Sequence, residues 1–71
     1  MTKRRLTSVL RAIRQEAGLT QAALADRLHQ SQSYVSKYES GEQRLDLFEI
    51  EAICAAAGVS LTNFVERYLE G

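Results

Sequence analysis

The stretch from Gln21 to Gly41, QAALADRLHQSQSYVSKYESG, decides the fold. It reads as two short helices joined by a tight turn. Thr20, just ahead of it, suits the N-cap of the first helix, because its hydroxyl can accept an orphan amide proton. Leu19 and Leu24 stand at the N′ and N4 positions of a hydrophobic staple. Leu24, Ala25 and Leu28 form the inward face, and Ala25 matters by its smallness, since a bulky residue there would push the next helix away. His29-Gln30-Ser31 makes the turn, and Ser31 caps the second helix, which runs to about Ser40 with Val35 and Tyr38 inward.

The outward face of that second helix carries Gln32, Ser33, Ser36 and Lys37, at positions i, i+1, i+4 and i+5. A merely solvated helix more often shows Glu/Lys pairs. Short hydrogen-bonding groups with one cation are suited to reading base edges in a DNA major groove, where glutamine can pair with adenine N6 and N7 and lysine with guanine O6 and N7.

The rest of the chain reads as a holder for these two helices. Lys3 to about Ala17 is helical, with Leu6, Leu10, Ile13 and Ala17 as its apolar stripe and Gly18 as its stop. Thr2 and Thr7 are both possible caps for it. Glu39-Ser40-Gly41 closes the second helix of the pair, and Glu42 to Leu45 is a loop. Asp46 with Glu49 three residues on forms a capping box, and Leu45 and Ile50 make the staple. That fourth helix runs to Ala57, burying Leu47, Ile50, Ile53, Cys54 and Ala57, and Gly58 stops it. Val59, Ser60 and Phe64 repeat the staple and cap, so a fifth helix runs from about Leu61 to Leu69. With no proline and no lasting strand-like alternation, the fold class is all-α, a compact five-helix bundle within one domain of residues 1–71.

Composition narrows the function. The hydrophobic fraction of 45% is ordinary for a globular protein. A single cysteine excludes an internal disulfide, and with a single histidine it leaves no ordinary zinc site. Cys54, in an alanine-rich run, reads as a small buried hydrophobe. No apolar run approaches the roughly 20 residues of a membrane span, and no signal-peptide pattern follows the basic N-terminus, so a cytoplasmic location without membrane contact is expected. The net charge is zero, but residues 1–45 carry eight basic against four acidic side chains, and residues 46–71 one against five. Such a split can present a basic face to phosphates and an acidic back to water.

In full register, the chain resembles the Cro/repressor helix-turn-helix family, also called the xenobiotic-response-element family of bacterial and phage regulators. The resemblance rests on Gly18-Leu19-Thr20-Gln21, Leu24-Ala25, Ser31-Gln32, the run from Val35 to Gly41, and Arg44-Leu45-Asp46, and it covers nearly the whole chain. It implies a lambda-repressor-like DNA-binding domain with the helix-turn-helix at helices 2 and 3. It places Gln32, Ser33 and Lys37 at base-facing positions, with Ser36 beside them. Gln21 matches the family's phosphate-contacting glutamine, and its amide would also lie near Gln32, so that the two could brace each other. Ser40 and Gln43 match positions that reach the DNA backbone or a neighbouring base, and Arg44, Arg4 and Arg5 are further phosphate candidates, as are the amino termini of helices 2 and 3. Arg14 and Glu39 match a pair that ties helix 1 to the end of helix 3. Tyr34 could pack over the helix 2–3 edge or touch the DNA backbone. His29 stands where the family prefers glycine, and Ala57 where many relatives carry leucine.

Members of this family usually bind inverted-repeat operators as two-fold dimers. Phe64, Val65, Tyr68 and Leu69 offer more apolar surface than one core needs, so they are the expected dimer interface. The expected function is therefore a sequence-specific, dimeric transcriptional regulator of double-stranded DNA, most simply a repressor. The alternative is an antitoxin-type module that binds a protein toxin and regulates its own operon, although no separate toxin-binding tail is present. No cofactor and no small-molecule effector is implied. An enzyme is not expected, since the chain has no glycine-rich phosphate loop, no metal-ligand cluster and no nucleophile with a base at recognisable spacing.

Overall fold

The computed structural model describes residues 3–70. Five α-helices follow one another: α1 (Lys3–Glu16), α2 (Gln21–Arg27), α3 (Gln32–Glu39), α4 (Leu47–Ala56) and α5 (Leu61–Glu70). The helix starts carry the chemistry expected of them. Thr20 Oγ1 accepts from the Ala23 amide at 3.0 Å, Ser31 Oγ from Tyr34 at 3.2 Å and Ser60 Oγ from Asn63 at 3.0 Å. Asp46 and Glu49 form a reciprocal capping box at 2.8 and 2.9 Å. Each such cap contributes about 1 kcal/mol. Thr7 does not cap α1: its hydroxyl donates back to the Arg4 carbonyl at 3.0 Å, within the helix. Thr2 lies outside the described residues.

The helix ends share one device. After each of α1 to α4, a residue with positive φ turns the chain, and the next amide reaches back to a carbonyl five residues earlier: Leu19 to Arg14, Gln30 to Ala25, Glu42 to Lys37 and Val59 to Cys54. The turning residue is Gly18, Gly41 or Gly58 in three cases and His29, at φ 56°, in the fourth. The helix-turn-helix turn thus has glycine geometry without glycine.

The core is drawn from all five helices. Leu10 and Ile13 of α1, Leu24 and Ala25 of α2, Val35 and Tyr38 of α3, Ile53 and Cys54 of α4, and Phe64 of α5 are buried together. Helix α2 lies against α3, and α1 touches α3, α4 and α5. Burial pushes the Cys54 thiol up from its ordinary pKa, which keeps it unreactive.

Four expectations about burial need correction. Leu47 is 63% exposed and Ala17 is exposed, whereas Val9, absent from the expected stripe, is buried. Ala57 is only half-buried. Periodicity fixes the direction a side chain faces around a helix, not how far along the axis the core extends. Burial on α4 begins at Ile50, one turn after Leu47, and Ala17 and Ala57 lie just past the last residues of their helices.

Three arginines knit the helix ends together. Arg5 donates to the carbonyls of Arg67 and Tyr68 at 2.8 and 3.2 Å, and Arg27 to that of Ala56 at 2.9 Å, placing cations where the last carbonyls of α5 and α4 want donors. Arg67 grips Glu16 through two hydrogen bonds at 2.9 and 2.6 Å. Among the described residues, no single helix is long and apolar enough to cross a membrane.

Candidate nucleic-acid interface

Helix α3 faces two ways, and its residue pattern causes this. Val35 and Tyr38, three apart, point into the core, and Glu39 joins them in burial. The intervening positions must then face out, and Gln32, Ser33, Ser36 and Lys37 are all exposed. None of these four side chains has a hydrogen bond or ion pair with another described residue. Their donors and acceptors are available to a partner, on a helix held rigid from behind.

What holds it is Glu39. Its side chain is fully buried, yet the carboxylate is fully engaged. Arg14 Nε donates to its Oε2 at 2.7 Å and Arg14 Nη2 to its Oε1 at 3.1 Å. Arg14 Nη1 donates to the Leu19 carbonyl at 2.9 Å. A buried charge is tolerable only when paired and hydrogen-bonded in this manner. The same hydrogen bonding raises the Arg14 pKa above its ordinary value, against the opposing effect of desolvation.

Gln21, the first residue of α2, donates from Nε2 to Glu39 Oε1 at 3.1 Å. The expected brace between Gln21 and Gln32 is therefore replaced by one to Glu39: an acceptor-only carboxylate is a stronger partner for an amide NH2 than another neutral amide is. One carboxylate thus ties α1, α2 and α3 together.

At the other end of α3, Ser40 Oγ has one proton and two acceptors, the Lys37 carbonyl at 2.9 Å and Glu42 Oε2 at 3.0 Å. Gln43 is half-buried, and its backbone N–H donates to the Lys37 carbonyl at 3.3 Å. Arg44 is exposed and has no partner among the described residues. Arg4 is exposed as well, whereas Arg5 is removed from the phosphate candidates by its bonds to the end of α5.

Tyr34 resolves toward structure. Its ring meets that of Tyr38 edge-on at 5.6 Å, and its hydroxyl donates to Glu49 Oε2 at 3.0 Å. It therefore links α3 to the capping box of α4. Desolvation first, then the hydrogen bond and charge of Glu49, push its pKa up to about 12.

On α5, the four expected pairing residues separate. Phe64 is buried in the protomer's own core, and Tyr68, half-buried, stacks on it at 6.2 Å. Phe64 is thereby withdrawn from any surface, while Val65 and Leu69, one turn apart, are 41% and 67% exposed. Among the described residues, Phe48, at the start of α4, is the most exposed large apolar side chain, at 82%. It falls between the core positions of α4, so helical periodicity does not single it out. Arg11 was likewise missed. It sits one turn before Arg14, and that spacing is the signal that both reach the same carboxylate.

Among the described residues, no group of three or more His, Cys, Asp or Glu side chains could hold a metal ion.

The profile of the helix-turn-helix family, HTH_3, matches residues 10–64. Three solved structures illustrate the likeness. An XRE-family like protein from Pseudomonas syringae pv. tomato is 35% identical, over 96% of this chain and 83% of that one, with a TM-score of 0.88. The restriction-modification controller protein C.Esp1396I, solved as a tetramer with its natural 35 base-pair operator, is 28% identical over 96% of this chain and 90% of that one, at 0.88. The clp gene regulator ClgR from Corynebacterium glutamicum is 25% identical over 96% and 87%, at 0.86. No curated protein sequence matches the chain.

Proposed function

The chain belongs to the helix-turn-helix family of DNA-binding regulators, of the Cro/C1 or XRE type, and we propose that it is a sequence-specific repressor that binds an inverted-repeat operator as a homodimer. One observation carries this reading: α3 presents Gln32, Ser33, Ser36 and Lys37 outward without internal partners, while its other face is locked by Val35, Tyr38 and Glu39. In the major groove, Gln32 reads adenine and Lys37 guanine, with Ser33 and Ser36 bonding to neighbouring bases. Gln21, Gln43 and Arg44 hold phosphates on either side and set the register without reading sequence. Ser40 joins them only by turning its proton away from both the Lys37 carbonyl and Glu42.

A recognition helix of this length touches few base pairs, so specificity calls for two copies. Val65 and Leu69 supply the exposed apolar surface for pairing, with Tyr68 at its edge. Two-fold pairing spaces the recognition helices by about one DNA turn, roughly 34 Å. C.Esp1396I, a controller solved as a tetramer on its operator, supports operator binding by more than one copy. The chain acts where the DNA is, in the cytoplasm, and is regulated by its own concentration.

Selection of bound sequences from a random duplex pool tests this. Enrichment of an inverted repeat, with half-site centres about one helical turn apart, is expected. A pool that stays random after selection contradicts the reading, and a single unrepeated site contradicts the dimer.

A further inference from the structure

We propose that Arg11 is a DNA-phosphate ligand, held for that task by the buried Glu39 carboxylate and acting together with Gln21. This rests on the DNA-binding reading above and adds a residue that neither the helix-turn-helix register nor the α3 face assigns.

Glu39 carries one negative charge and is enclosed by two guanidinium groups, Arg14 and Arg11. Arg14 neutralises it: its side chain is 12% exposed, and its Nε and both terminal nitrogens are hydrogen-bonded inside the protein. Arg11 is the surplus cation. Its Nε lies 3.5 Å from Glu39 Oε1, an ion-pair distance rather than a short hydrogen bond, its side chain is 52% exposed, and it has no other partner among the described residues. Its terminal nitrogens are therefore free while its stem is drawn toward a fixed, buried anchor.

The anchor also decides what Arg11 stands beside. Gln21 Nε2 lies 3.1 Å from that same oxygen, Glu39 Oε1. Two nitrogens within 3.5 and 3.1 Å of one atom lie no further apart than the sum of those distances. Glu39 accepts one amide proton of Gln21 and leaves the other N–H for an outside acceptor. The result is a half-exposed guanidinium and an amide donor side by side, with a net positive charge, next to the recognition helix whose last residue is Glu39. A planar guanidinium matches the paired oxygens of a phosphate. A surface arginine tethered to a buried carboxylate also gives up less side-chain freedom on binding than an untethered one.

Arg11→Ala and Arg11→Lys, titrated by fluorescence anisotropy over a salt series, test the assignment. The probes are a duplex selected by the wild-type chain and a random-sequence duplex of equal length. Arg11→Ala is expected to weaken binding to both by the same factor, about tenfold. It should also lower the slope of log affinity against log salt by about 0.9 per bound protomer, at an unchanged melting temperature. Arg11→Lys should keep the salt slope. Unchanged affinity and slope in Arg11→Ala, with wild-type binding intact, overturn the assignment alone. So does a loss of affinity shared by Arg11→Lys with no change in slope, since Arg11 would then act through packing. A wild-type chain that binds neither duplex overturns the assignment and the underlying reading together.

Discussion

Arg14 holds the buried carboxylate of Glu39 at both oxygens, from Nε at 2.7 Å and Nη2 at 3.1 Å, and so fastens α1 to the last residue of the recognition helix. The two residues are far apart in sequence and bring opposite charges into a site where neither could stand alone. Removing Glu39 leaves the Arg14 guanidinium without its counter-charge, and removing Arg14 leaves Glu39 only the longer contact of the half-exposed Arg11, each at a cost of about 3–5 kcal/mol. Arg14→Ala and Glu39→Ala should each lower the urea midpoint accordingly. The double variant should lose less than the sum of the singles, because the partner's desolvation penalty is removed with it. Additive losses would show that the pair is not a unit.

The turn between α2 and α3 offers a second test. His29 sits at φ 56°, a conformation that costs an ordinary L-residue about 1–2 kcal/mol and glycine almost nothing. His29→Gly should therefore stabilise the fold by about 1 kcal/mol, a rise of several degrees in melting temperature for a chain this small. Gly18→Ala is the mirror experiment. A Cβ there would meet nothing within 4 Å, so its cost, again about 1 kcal/mol, is that of the φ of 74° alone.

Alkaline pH probes the link between α3 and α4. Tyr34 is raised from its ordinary value of 10 to about 12, by desolvation and by its bond to Glu49. A phenol whose folded-state pKa exceeds its unfolded one contributes stability that is complete below about pH 10 and is lost as pH rises through 12. Denaturation midpoints should accordingly fall from pH 10 upward. Tyr34→Phe should flatten part of that fall, leaving the share of Tyr38, whose pKa burial also raises. An identical alkaline profile in Tyr34→Phe would remove Tyr34 from the account.

The proposed pairing surface is open to test at Val65 and Leu69 of α5. Val65→Glu with Leu69→Glu should shift the mass in sedimentation equilibrium from dimer to monomer while leaving the helical circular dichroism intact, since both side chains are exposed. Phe64→Ala, by contrast, should cost about 3–5 kcal/mol of stability, because that ring is in the core. Retention of the dimer in the double variant would move the interface elsewhere.

Local chemistry was legible in the sequence. Thr20, Ser31, Asp46 and Ser60 start their helices because a side-chain oxygen at the right offset satisfies an orphan amide, and that offset is written in the residue order. Val35 and Tyr38 fixed the buried face of α3, and hence the exposed one. Depth along an axis was not legible, as Leu47 and Ala17 show. Neither was the choice of partner by long polar side chains. Gln21 bonds to Glu39 rather than Gln32, and Arg5 and Arg27 turn to helix-end carbonyls. Those choices depend on which acceptors the packed helices bring within reach. In the charge count of residues 1–45, Arg14 and Glu39 cancel each other, while Arg5 and Arg27 keep their charges but spend donors on helix-end carbonyls.

The exposed face of α3 is the proposed reader of DNA sequence. Its most direct test is an anisotropy titration of wild type, Gln32→Ala and Lys37→Ala against the selected operator duplex and a random duplex. Strong wild-type preference for the operator is expected, with a loss of about 1–3 kcal/mol of that preference in each variant. Equal wild-type affinity for both duplexes, or a preference untouched by either substitution, would contradict it.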